Sequence, residues 1–240
     1  MEADLLWRTD EIRFLQNTLT SVPESDKDKL RRALLLLLYA HFEGFCKFAL
    51  DSYVRAVNQE RVHCSRAAPS LVAATLHEVL HDLKSNKKKS KIFTDHSSED
   101  GALQGFARDV EFVQKSTRVF GRKVNIPESV VQTESNLWAE VLKKNLYRLG
   151  LPFDSVDIHR NRINALVLLR NKISHGEFKR GIKEIVYLKI RDSSLTVMED
   201  LMRAVYDAYS SRLFLRDGHR RAGVPPRQRN ISPARRLSWV

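Results

Sequence analysis

The chain has 240 residues, 42% of them hydrophobic and 29% charged, which is ordinary globular composition and excludes a fibrous or wholly disordered chain. Lysine and arginine number 41 against 29 acids, a formal charge of +12 that favours polyanionic partners. The longest strongly apolar run, Ala33 to Ala40, is broken by His41, Glu43 and Lys47. That falls short of the roughly 18 residues a membrane span needs, so a core helix and no membrane partner are expected.

The start, Met1-Glu2-Ala3-Asp4, lacks the basic and apolar segments of a secretion signal. Cys46 and Cys64 have no disulfide-framework spacing. A cytoplasmic protein with free thiols is expected.

Residues from about 4 to 20 space Leu5, Ile12, Leu15 and Leu19 as an amphipathic helix that Val22-Pro23 ends. Ser25 and Asp26 offer N-cap oxygens for a long second helix to about residue 62, whose single glycine, Gly44, predicts close approach of another backbone. Leu71 to Leu83 repeats the helical period, and a lysine-rich loop follows at Lys84, Lys87, Lys88, Lys89 and Lys91. Between 100 and 131 the signals are mixed, with Phe106, Val110 and Val113 fitting a helix and Val119 to Pro127 an irregular connection.

Glu134 to Leu149 reads as a helix closed by Gly150 and Pro152. Asp157 opens the next, which stops at Gly176. Glu184 to Ile190 fits either a short strand or an extended connection. Thr196 to Glu199 has the form of a capping box ahead of a last helix to about Leu215.

From Arg216 to the end the sequence has seven arginines, Arg216, Arg220, Arg221, Arg227, Arg229, Arg235 and Arg236, and one acid, Asp217. This stretch therefore carries +6 of the +12. With Pro225, Pro226 and Pro233 it reads as a disordered basic arm. The predicted organisation is an all-α helical domain over 1–216, with an irregular or lysine-rich insertion at about 84–131, and an arginine-rich tail over 217–240.

The most informative segment runs from Ala165 through Leu166, Val167, Leu168 and Leu169 into Arg170, Asn171, Lys172, Ile173, Ser174, His175 and Gly176. Five apolar residues in succession imply burial on nearly every side, and three strongly polar groups then arrive within a turn and a half. Asn171 and His175 lie four apart on one face, and Arg170 is near enough for its long side chain to reach round. Metal-free cleavage of an RNA phosphodiester needs a proton acceptor, a proton donor and positive charge at the phosphorane. An imidazole titrates near neutral pH and can serve as base or acid, and a guanidinium presents paired donors to phosphate oxygens. Asn171 would orient the imidazole or the phosphate. Lys172 and the tail arginines are candidate RNA contacts.

Arg170-Asn171-x3-His175 resembles the signature of the HEPN superfamily of RNases and toxins. Leu35 to Phe48, reading Leu-Leu-Leu-Leu-Tyr-Ala-His-Phe-Glu-Gly-Phe-Cys-Lys-Phe, resembles the second-helix segment of its bacterial toxin and phage-defence branch. The resemblance implies an all-α core, endoribonuclease activity without a metal or other cofactor, and a homodimer whose two motifs face one cleft. It also implies a possible antitoxin or defence-system partner, and makes Glu43 the candidate polar residue of the second helix beside the motif.

Two other readings compete. His77-Glu78-Val79-Leu80-His81 has the zinc-peptidase spacing, two histidines one turn apart with a glutamate to activate water. No third ligand follows it in a recognisable pattern. The second alternative is a non-catalytic RNA-binding helical module, in which Arg170 and His175 serve structure.

Overall fold

The computed structural model describes residues 1–84 and 100–216. Among these, eight α-helices form the fold: α1 (Glu2–Asn17), α2 (Glu24–Gln59), α3 (Pro69–Thr75), α4 (His77–Lys84), α5 (Gly101–Phe120), α6 (Ala139–Leu149), α7 (Asp154–Ser174) and α8 (Glu184–Ser210). No strand occurs among the described residues; two isolated bridges, His63 with Lys123 and Ala67 with Leu215, tie connections together. The fold is all-α, as the helical periodicities predict.

The centre of the bundle is α2. Its Leu34, Leu35, Leu38, Phe42, Phe45, Ala49, Leu50 and Tyr53 are all buried, and it packs against α1, α6, α7 and α8. By length and composition alone α2 is apolar enough to cross a bilayer, which a reading of its longest unbroken run misses; 56% of its most apolar window is buried inside the fold. Both cysteines are buried and unpaired.

Several boundaries differ from the sequence reading. Pro23 is the N-cap of α2 and no side-chain oxygen caps it; Asp26 pairs with Lys29 instead. The 71–83 period is split at Leu76 into α3 and α4. The region of mixed signals contains α5, capped by Asp100, whose carboxylate accepts from the Ala102 and Leu103 N–H groups. Most consequential is α8, which begins at Glu184. Tyr187, Ile190, Ser194, Val197, Met198, Leu201, Val205 and Ala208 form one buried stripe along it, so the undecided 184–190 segment is its first two turns. Thr196 lies mid-helix, where its hydroxyl donates to the Asp192 carbonyl rather than capping a new N-terminus. Burial of one continuous stripe outweighs the β-branched character of Ile185, Val186 and Ile190.

Gly44 makes room for a side chain, not a backbone: a Cβ there would lie 2.9 Å from Nη1 of Arg8. The lysines from 87 to 91 and the arginines from 220 to 236 lie outside the described residues.

Candidate functional site

Helix α7 enters the core through Val156, Ile163, Leu166 and Val167, all buried. The apolar run before the motif is not buried on every side, because Leu168 is 46% exposed. It lies away from the face set by Ile163 and Val167, and a helix packed on one side leaves such a position in solvent. The helix ends in a Schellman arrangement. The Glu177 N–H donates to the Lys172 carbonyl at 2.8 Å and the Gly176 N–H to that of Ile173 at 3.1 Å. Gly176 adopts a φ of +74°, a left-handed conformation that costs glycine little and other residues more.

This termination leaves His175 as the C-cap of α7, with its side chain exposed. Arg170, half-buried a turn and a half earlier, is held from three directions. Its Nη1 donates to Asn171 Oδ1 at 2.9 Å and to Asn136 Oδ1 at 3.1 Å. Its guanidinium carbon stands 4.6 Å from the centroid of the Tyr39 ring, a cation–π distance. No protein acceptor engages Nε or Nη2 among the described residues. The guanidinium is fixed while one donor edge stays uncommitted.

Tyr39 links this cation to α2. Its hydroxyl accepts from the Leu137 N–H at 3.1 Å, and Glu43 stands one turn further along α2. Burial pushes the phenol up to about 12, with Glu43 adding to the effect. Among the described residues no hydrogen bond or ion pair joins Glu43 to Arg170; its nearness is felt by the Tyr39 phenol.

The connection that supplies Asn136 and Leu137 is read as helix from the sequence, since Glu134 to Leu149 looks continuous. The helix begins only at Ala139. Glu134 and Ser135 have φ values of +48° and +69°, which turn the chain so that Asn136 meets Arg170 and Leu137 meets Tyr39. Asn164 of α7 then accepts the Ala139 N–H at 3.1 Å and satisfies a free donor at the start of α6.

Arg170, Asn171, Asn136 and Tyr39 therefore form one network, and His175 stands at its open end, joined to Asn171 by its backbone N–H at 3.0 Å and by no side-chain hydrogen bond among the described residues. Lys172 is exposed beside them. Sequence reasoning missed Tyr39 and Asn136. Tyr39 had a signal in its i, i+4 spacing with Glu43; Asn136 had none, because its partner lies 34 residues away.

The rival motif is placed differently. His77, Glu78 and His81 are all exposed on α4, and no group of three His, Cys, Asp or Glu side chains suited to a metal gathers among the described residues.

The RiboL-PSP-HEPN family model matches residues 3–207, and the chain belongs to that family. Membership points in general terms to an RNA-related or nuclease function. Searches of curated proteins and of solved structures found no match.

Proposed function

We propose that the chain is a metal-independent endoribonuclease of the bacterial toxin or phage-defence type. The observation that supports this best is Arg170: Tyr39, Asn136 and Asn171 fix it, yet its Nε and Nη2 edge is left for an anion, just before the exposed imidazole of His175. A planar donor edge on an immobilised guanidinium suits two oxygens of a phosphate.

In the reaction, a base takes the proton of a ribose 2′-hydroxyl, whose oxygen attacks the adjacent phosphorus. The bond from phosphorus to the 5′-oxygen breaks, and an acid returns a proton to that oxygen. The products are a 2′,3′-cyclic phosphate and a 5′-hydroxyl. Arg170 meets the charge that develops on the phosphorane, and His175 acts as base or acid. Asn171 fixes the guanidinium, and Glu43 acts as a positioning residue through Tyr39. One chain offers one imidazole here, so the active species is a homodimer in which a two-fold axis brings a second His175 to the cleft. The arginines from 220 to 236 add phosphate contacts without chemistry, and a partner protein such as an antitoxin restrains activity in the cytoplasm.

A non-catalytic RNA-binding module is the alternative that the internal bonds of Arg170 favour, since a purely structural arginine is held in the same way. Turnover separates the two. Purified protein incubated with cellular RNA and a chelator should give fragments with cyclic phosphate ends, and His175→Ala should not. Cleavage abolished by chelator, or undiminished in His175→Ala, would overturn the proposal.

A further inference from the structure

A second feature adjoins the motif. Between the start of α2 and the turn after α7 lies an open hollow of about 370 Å³, within the range of roughly 300–1,000 Å³ typical of small-ligand clefts. Its floor is apolar, made by Ala33 and Leu36 of α2 and by Ile173 and Phe178. Lys29, Arg32 and Lys179 stand around it. Leu36 and Ile173, which line it, stand one helical turn from Tyr39 on α2 and from Arg170 on α7, so the hollow adjoins the stacked pair of Tyr39 and Arg170.

The charge balance here is uneven. Lys29 pairs with Asp26, but Arg32 donates to a neutral acceptor, the Lys179 carbonyl, at 2.7 Å. Among the described residues no carboxylate pairs with Arg32, Lys172, Lys179 or Arg180. Glu177 is the only acid between Lys172 and Lys183. Cations around an apolar floor that includes an aromatic ring suit a nucleotide, with its base on the floor and its phosphate at the rim. An apolar peptide would leave these cations without a counter-charge.

We infer that this hollow is a nucleotide subsite flanking the scissile bond and that it selects single-stranded RNA with little regard to base identity. The inference rests on the ribonuclease reading for the identity of the substrate. A base enters the hollow only when unstacked from its neighbours, which paired RNA resists. Its lining side chains include no carboxylate or carboxamide to read a Watson–Crick edge, so stacking and charge supply the binding. Arg32 has a further effect: by holding the Lys179 carbonyl it ties the turn that carries Phe178 and Lys179 to α2.

The test uses a single-stranded RNA made uncleavable by 2′-O-methyl groups, a duplex of the same sequence, and natural RNA for cleavage. Lys179→Gln changes an exposed side chain, and Phe178→Leu keeps an apolar group while removing the ring. Together they should weaken single-strand binding roughly ten-fold. Lys179→Gln alone should reduce the salt slope by about 0.7, and in cleavage KM should rise with kcat retained. The duplex should bind at least about ten-fold more weakly than the single strand to the wild-type protein.

Unchanged affinity and KM in both variants would overturn the subsite while leaving the ribonuclease reading intact. Equal binding of duplex and single strand would overturn the selection for strandedness. Wild-type protein that binds the single strand but never cleaves natural RNA would remove the ribonuclease reading and leave the subsite. Wild-type protein that does neither would remove both.

Discussion

At the N-terminal end of α7, Asp157 accepts from Lys143 at 2.8 Å and from Arg160 at 2.8 Å. These two cations, Arg160 foremost, hold its carboxyl below the usual carboxylate range. Arg160 also reaches Glu140 at 3.2 Å, and Ser155 donates to Asp200 at 2.6 Å. At the C-terminal end, Arg170 bonds only to neutral amide oxygens, and Lys172 has no carboxylate partner among the described residues. One end spends its charges on each other and joins α7 to α6 and α8. The other holds its cations in place without neutralising them. Position on one helix, with similar residue types, separates charge used for assembly from charge available to an anion.

The largest expected effect follows from this contrast. Loss of the His175 imidazole or of the Arg170 guanidinium should each lower cleavage at least about a hundred-fold, the lower range for removal of a positioned acid or base. The two differ in stability. His175→Ala removes an exposed ring and should leave the melting temperature unchanged, whereas Arg170→Ala strips the stack on Tyr39 and two hydrogen bonds and should lower it. Arg170→Lys should recover part of the stability and little of the activity, because an ammonium keeps the charge without the planar donor pair. Thermal denaturation measured beside cleavage checks this, and full activity in Arg170→Lys would show that charge alone is used there.

The sequence is most legible where one element carries the whole message. Arg170, Asn171, His175 and Gly176 sit in a single turn-and-a-half, and the apolar period of α2 identifies it as the central helix. What is illegible depends on contacts far apart in the chain. The start of α8 was obscured because β-branched residues fit both a strand and a buried helical stripe. The start of α6 was hidden because positive φ at Glu134 and Ser135 leaves little trace in residue type. Asn136 became visible only when the fold brought it to Arg170.

Tyr39 gives the next effect in size. Tyr39→Phe keeps the ring under Arg170 but removes the hydroxyl that accepts from the Leu137 N–H. A buried N–H left without an acceptor costs about 1–3 kcal/mol, so the melting temperature should fall. Cleavage should drop only several-fold, because the guanidinium keeps its stack and its amide partners. An activity loss as deep as that of His175→Ala would move Tyr39 from positioning into the chemistry itself.

The smallest effect is expected at the compensated end, where Arg160→Ala removes the same group as Arg170→Ala from the same helix. Arg160 is partly exposed and its partner Asp157 retains Lys143 at 2.8 Å. Exposed ion pairs contribute little because solvent screens them and holding long side chains in one geometry costs entropy. Both the melting temperature and the cleavage rate of Arg160→Ala should therefore stay close to wild type, and its RNA affinity should keep the same salt slope. A slope reduced by about 0.7, the contribution of one phosphate contact on a single strand, would mean that RNA reaches this end too. The division of α7 into an assembling end and an anion-binding end would then fail, and the whole helix would be a phosphate-binding surface.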